Sequence, residues 1–342
     1  MEINLISDTV TKPTPEMLEV MMHAEVGDDV FKNDPSVNAL EEKVASYFGM
    51  EAALFFPSGS MANQTAIKLH TQPGEQLICD KYAHVFNYEG GGASFNSGVS
   101  CRLVDGNRGM MTAAQVAASI NPPDFYHSPL TSLVCIENTT NKGGGACWDF
   151  KELEKIQQVC ASNDLAYHLD GARLWNALVT KAEDPKKYGN LFDTISVCFS
   201  KGLGCPVGSV LVGSSALMDS ALRIRKILGG GMRQSGFLAA AASYALDHHV
   251  ERLAEDHRKA AEIGKVLETL DFVAKVEPIE TNIIIFELDE AKMSSEVFLQ
   301  KLTENKISII GMGQGKLRIV THLDYTEEMH GHFLEVIKRI GD

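Results

Sequence analysis

The sequence predicts an α/β protein: a large first domain with a doubly wound, mostly parallel sheet, then a small α+β domain at the C-terminal end. Three observations point there. Short runs rich in Val, Ile, Leu and Phe recur with little polar alternation, as strands do when both faces of their sheet are covered. Amphipathic segments of helical length separate several of them, such as KELEKIQQVCASN at 151–163. Polar residues (Asp80, His84, Glu137, Asn138, Asp170, Ser200, Lys201) gather at the ends of the runs, where open α/β sheets place their ligands.

In chain order the expected strands are AALFF (52–56), QLICD (76–80), SCRLV (100–104), SLVCIEN (132–138), AYHLDG (166–171), TISVCFS (194–200) and SVLVG (209–213). The pattern then changes. A long charged helix from Val250 leads into TNIIIFEL (281–288), a helix near 295–305, a strand KLRIVTHL (316–323) and a final helix. The change sets a boundary near residue 248, with 1–248 as the large domain carrying an N-terminal arm and 249–342 as the small one.

Composition narrows the function classes. A net charge of −14 over 342 residues argues against nucleic acid or an anionic membrane as partner. The opening MEINLISDTVTKP lacks the basic start and apolar run of a secretory signal, and no apolar run is long enough to span a bilayer. The seven cysteines show no C-x-x-C spacing, and Cys79, Cys135 and Cys198 lie inside apolar runs. A reducing cytoplasm fits this usage. No His/Cys cluster has zinc spacing, so no metal is expected.

Three motifs carry chemistry. In HLDGAR (168–173), Asp170 ends a buried strand, where a carboxylate is costly without a cation opposite. An Asp170–Arg173 ion pair capping the next helix would satisfy it equally well. In SKGLG (200–204), Lys201 stands among small and apolar neighbours. Desolvation there favours a neutral amine able to attack an aldehyde; a plain turn lysine is the competing reading. In PSGSMANQ (57–64), a strand runs through Pro-Ser-Gly-Ser into a helix whose first amides can bind a phosphate. The glycine spacing of nicotinamide or Walker loops is missing. Together these parts suit pyridoxal 5′-phosphate: a lysine for its aldehyde, an aspartate for its ring nitrogen, a helix start for its phosphate. His84, in AHVFNYEGGG (83–92), is the candidate to stack on the ring.

SDTVTKPT (7–14), GDDVFKNDP (27–35), ENTTNKGGG (137–145), HLDGAR, SKGLGCPVGS (200–209), GGGMRQSGFLAAA (229–241) and RIVTHLD (318–324) occur in the order found in low-specificity L-threonine aldolases. The likeness runs from about residue 5 to about 325. It implies a PLP-dependent transferase-like fold of the aspartate-aminotransferase type. It also implies retro-aldol cleavage of L-threonine, L-allo-threonine and related β-hydroxy-α-amino acids to glycine and an aldehyde. By the same resemblance Lys201 carries the cofactor, Asp170 meets the pyridine nitrogen and His84 stacks. Gly59, Ser60 and Ser200 hold the phosphate, with Lys226 and Arg233 reaching over from a neighbouring subunit of a homotetramer. Arg318 and Ser7, with Arg173 close to both cofactor and substrate, grip the substrate carboxylate. His84, His127 and a water hydrogen-bonded to the cofactor phosphate are the candidates for the base that takes the β-hydroxyl proton. The chain departs from the family pattern at Phe31, Leu130 and Thr140, where tyrosine, arginine and histidine are usual. A β-eliminating lyase or an aminotransferase is the alternative chemistry for the same parts.

Overall fold

The computed structural model describes residues 1–341. The seven expected runs form one sheet: β1 (Ala52–Phe56), β2 (Gln76–Asp80), β3 (Ser100–Val104), β4 (Thr131–Glu137), β5 (Ala166–Gly171), β6 (Thr194–Cys198) and β7 (Ser209–Gly213). Their spatial order is β1-β7-β6-β5-β4-β2-β3. Four of the neighbouring pairs are parallel. Only β7 runs against its neighbours, β1 on one side and β6 on the other. Two reversals cancel, so β1 points the same way as the other five. Six carboxyl ends therefore share one edge, and the loops that leave them converge there.

Burial explains the missing alternation. Strands β2, β6 and β7 are buried over their whole length, because helices cover both faces of the sheet. Strand β3 closes one edge and leaves Ser100, Arg102 and Leu103 exposed; a charged, partly solvated strand discourages further pairing at an edge. Cys79, Cys135 and Cys198 are buried thiols, as their apolar settings suggested.

The C-terminal part holds a second sheet of β8 (Val273–Val276), β9 (Ile283–Leu288), β10 (Ile310–Gly313) and β11 (Lys316–Val320), antiparallel in the order β10-β11-β9-β8. Helices Leu253–Leu267, Ser295–Glu304 and Glu327–Gly341 accompany it. Its core gathers around Phe286, Phe298 and Phe333. The first residues of the chain belong to this core: Ile3–Asn4 pairs in parallel with Ile307–Ser308, and Ile3 and Leu5 pack into it. The N-terminal arm is thus anchored on the second sheet before it crosses to the carboxyl edge of the first. Helix Leu253–Leu267 bridges the two parts, with Leu253 in the main core and Ile263 and Leu267 in the second. No helix among the described residues is long and apolar enough to cross a membrane.

One glycine sets the close approach of β5 and β6. A Cβ at Gly171 would lie 2.4 Å from the Ser196 carbonyl oxygen, a backbone atom of β6. A side chain there must push the strands apart beside Asp170. Gly171→Ala is expected to cost about 1–3 kcal/mol, read as a lower urea midpoint with an unchanged m-value. A midpoint equal to that of the parent would show that the strand end yields freely.

Candidate active site

A cavity of about 540 Å³ opens at the shared carboxyl edge, and Ser7, His84, Arg173, Lys201 and Arg318 all line it. Lys201 follows β6 in a tight loop in which the Gly204 amide donates to the Lys201 carbonyl (2.8 Å) and the Thr11 hydroxyl donates to the same oxygen (2.9 Å). The arm thereby pins the lysine backbone. Lys201 is half-buried rather than enclosed, so its amine reaches open space in the cavity.

Asp170, near the end of β5, is fully buried. Its Oδ1 accepts the Ala172 amide (3.1 Å), while Oδ2 has no partner. Burial raises the Asp170 carboxyl above its ordinary range, with His84 and Lys201 opposing the rise. His84 opens the short helix that follows β2. Its backbone amide donates to Glu137 Oε2 (2.8 Å), and its Nδ1–H donates to Glu89 Oε1 (3.0 Å). Burial alone would lower the imidazole, but Glu89 and Asp170 outweigh it and the net shift is upward. Burial, with Asp170 alongside, pushes Glu137 up to about 7. Ligand atoms of His84, Glu89 and Asp170 lie within 4.8 Å of one another. Glu89 was not singled out from the sequence, because YEGGG reads as a glycine turn.

The helix Gly59–His70 starts beside this group. Ser58 caps it by accepting the Met61 amide (3.2 Å), which leaves the amides of Gly59 and Ser60 without carbonyls inside the helix. A Cβ at Gly59 would lie 2.6 Å from Cys198 Sγ, so glycine is what lets the helix start press against the end of β6. Ser60 and Ser200 are half-buried near this corner.

At the opposite end, the expected alternative for Asp170 is not formed. Arg173 pairs instead with Asp8 of the arm, through Nε to Oδ2 (2.8 Å) and Nη2 to Oδ1 (2.6 Å). Asn282 adds a third donor to Asp8 at 3.2 Å. Burial pushes the Asp8 carboxyl up, but Arg173, Lys201 and Asn282 more than reverse this and hold it at about 2. Arg318 of β11 donates through Nη1 to Asn141 Oδ1 (2.8 Å) and through Nη2 to the Ile6 carbonyl (3.2 Å), and its buried Nε has no partner. Ser7 caps the 3-10 turn of the arm and accepts from both the amide and the hydroxyl of Thr9. Ile310, Gly311 and Met312 of β10 form the wall facing these groups.

Other expected residues lie elsewhere on the chain. His127 is exposed in the loop before β4, at the amino end of that strand, with its ring tilted against that of Tyr126 and the centroids 4.0 Å apart. Lys226 and Arg233 are exposed, and Arg233 pairs with Asp28 at 2.7 Å. None of the three lines the cavity of its own chain. Phe31 and Leu130 are exposed, and Thr140 is buried with its hydroxyl unpartnered.

What Asp170 Oδ2 lacks, a cationic N–H, a protonated pyridine ring supplies. The free amides at the Gly59 helix start suit the phosphate ester of the same molecule. Fold and site together define a pyridoxal 5′-phosphate-dependent enzyme. A model of the beta-eliminating lyase family matches residues 4–291. Low-specificity L-threonine aldolase 1 of Arabidopsis thaliana is 39% identical over 331 residues, 95% of this chain and 92% of that protein. The low specificity L-threonine aldolase of Escherichia coli strain K12 is 39% identical over 330 residues, 95% of each chain. Among solved structures, Leishmania major threonine aldolase matches with a TM-score of 0.86 at 21% identity, covering 99% of this chain and 100% of that one. The chain belongs to the beta-eliminating lyase family, alongside the low-specificity L-threonine aldolases.

The Asp8–Arg173 pair has a pH signature. Asp8 is depressed to about 2 from an ordinary 3.8, so its stabilisation, on the order of 2 kcal/mol, is fully present above about pH 4 and is lost as pH falls towards 2. Asp8→Asn is therefore expected to unfold at lower urea than the parent at about pH 6, with the gap narrowing below about pH 4. A gap of constant size across that range would mean that the carboxylate charge contributes nothing.

Proposed function

We propose that this chain is a pyridoxal 5′-phosphate-dependent aldolase that cleaves L-threonine and L-allo-threonine to acetaldehyde and glycine. The observation that carries the reading is the enclosed, unpartnered Asp170 Oδ2 beside a cavity into which Lys201 opens. When bound, the cofactor supplies a conjugated ring that accepts the electron pair left at the α-carbon as the Cα–Cβ bond breaks.

The chain's own residues do the rest. Lys201 supplies the amine that holds the cofactor between turnovers and releases it to substrate. Asp170 would accept the ring N–H, His84 would lie against the ring, and Gly59, Ser60 and Ser200 would hold the phosphate. Arg318, fixed by Asn141 and Ile6, grips the substrate carboxylate with Ser7, and a guanidinium suits a carboxylate because its donors lie in one plane. Holding that end still decides which bond at the α-carbon stands across the ring. The two ends of Arg173 committed to Asp8 make it a brace for the arm that carries Ser7. The β-hydroxyl must lose a proton as the carbon–carbon bond opens. His84 is the imidazole in place for it, since only His84 lines the cavity of its own chain; with Nδ1 donated to Glu89, its Nε2 is the free atom. In the homotetramer we propose, Lys226 and Arg233 reach a neighbouring subunit's phosphate site. The compartment we propose is the cytoplasm.

The test is acetaldehyde release from L-threonine and from L-allo-threonine by the cofactor-loaded enzyme, with Lys201→Ala as control. Release from either isomer, lost by about a thousandfold or more in the control, supports the aldolase. Ammonia and a 2-oxo acid without acetaldehyde would overturn it in favour of β-elimination. Arg318→Gln is expected to raise KM for threonine by about tenfold or more through loss of a charge-assisted contact. An unchanged KM would remove Arg318 from the carboxylate site.

A further inference from the structure

Beneath His84 a continuous set of polar side chains, most of them buried, runs between the sheet and the helix Gly59–His70 towards the sheet's amino edge. Glu89, whose side chain is fully enclosed, accepts from His84 Nδ1 (3.0 Å), Asn63 Nδ2 (2.9 Å) and Gln64 Nε2 (2.6 Å). Asn63 Oδ1 faces the Ser196 hydroxyl at 2.6 Å and His168 Nε2 at 3.2 Å. His168 Nδ1 faces Thr194 Oγ1 at 2.9 Å, which in turn meets His70 Nε2 at 3.0 Å. Asn63, His168, Thr194 and Ser196 are all buried, so each must find its partners inside the protein.

The direction of every bond in this set follows from its two ends. A carboxylate only accepts, so Asn63 must turn its NH2 to Glu89 and its oxygen to His168 and Ser196. An amide oxygen only accepts, so His168 Nε2 must carry a proton. Burial pushes the His168 imidazole down to about 3 and keeps it neutral, so Nδ1 is bare and accepts a hydrogen bond from the Thr194 hydroxyl. The Thr194 carbonyl, 3.2 Å from the same Nδ1, is the competing partner and would demand the other tautomer. The shorter hydroxyl contact and the Asn63 oxygen together outvote it.

We propose that His168 is a positioning residue for His84. By donating Nε2–H to Asn63 it fixes the amide that donates to Glu89, and so holds the Glu89 carboxylate against the His84 ring. With Asn63 free to flip, its oxygen would face the carboxylate and Glu89 would lose one of its three donors. The bonds from Thr194 to Glu89 all point the same way, an arrangement in which each bond polarises the next. The groups facing His84 are the carboxyls of Glu89, Asp170 and Glu137 and the ring of Tyr88, whose centroid lies 5.5 Å away, with Lys142 and Lys201 lining the same cavity. Of these, Glu89 alone is held by the His168 set. The proposal rests on the functional reading only in taking His84 as a cofactor-facing residue.

The first measurement needs no variant. In cofactor-loaded enzyme with 15N-labelled histidine, His168 is expected to show a protonated Nε2 and a bare Nδ1, without titrating between about pH 5 and 9. A protonated Nδ1 would overturn the proposal whether or not the enzyme cleaves threonine. The second compares His168→Gln, whose amide keeps a donor at the Nε2 position, with His168→Leu, which has none. The His84 titration midpoint is expected to fall by about one pH unit in the leucine variant and to stay with the parent in the glutamine variant. The pH profile of kcat/KM for threonine should move with it. The same His84 midpoint in all three proteins would reduce His168 to a packing residue.

Discussion

A carboxylate closed off from water, with one oxygen accepting nothing, is the constraint around which this chain is arranged. Asp170 Oδ2 has no donor of its own, and leaving a buried charge unpaired is costly enough to shift its ionisation upward. The protein lowers that cost only partly, through the Ala172 amide and the cations of His84 and Lys201. The remaining deficit is an affinity for a cationic N–H at one point in space. Two neighbouring glycines support that point: Gly171 brings β5 and β6 close together, and Gly59 brings a helix start to the same edge.

The second sheet matters because it reaches back across this edge. Ile3 and Leu5 tie the N-terminal arm to its core. Asp8, three residues on, then clamps Arg173, at the start of the helix after β5, in a two-pronged pair while Asn282 holds the same carboxylate from β9's approach. Arg318 of β11 meets Asn141 beyond β4 and the Ile6 carbonyl of the arm. Buried ion pairs of this kind add less stability than their Coulomb attraction suggests. Their effect here is registry: they set where the arm, the two arginines and the β10 wall stand relative to Lys201.

The large sheet was readable because its strands are buried on both faces, so each announces itself as an apolar run between turn residues. β8 and β10 escaped for the converse reason: they are short, and β10, with the sequence IGMG, is exposed along its length. That the polar residues at strand ends would meet at one edge was readable too: a cap or a turn accounts for any one of them, but not for several ending consecutive strands. Partnerships were not. Arg173 lies 165 positions from Asp8, and the local candidate, Asp170, was a reasonable partner until the arm came into view. Glu89 was hidden by its glycines, and Asn63 and His168 by lying inside regular elements, where polar residues read as chance.

That last blind spot has a physical meaning. A histidine or asparagine inside a helix or strand sends no signal along the chain, because its partners are on other elements and its role is set by which atom donates. His168, Asn63 and Glu89 come from β5, the Gly59–His70 helix and the turn after His84, and only their meeting determines the tautomer of one and the amide orientation of the next. The carboxylate at one end fixes the amide of Asn63, and the Asn63 oxygen then sets the His168 proton against the pull of the Thr194 carbonyl. Such an arrangement holds the His84 ring in register through bonds that lie beneath the cavity rather than inside it.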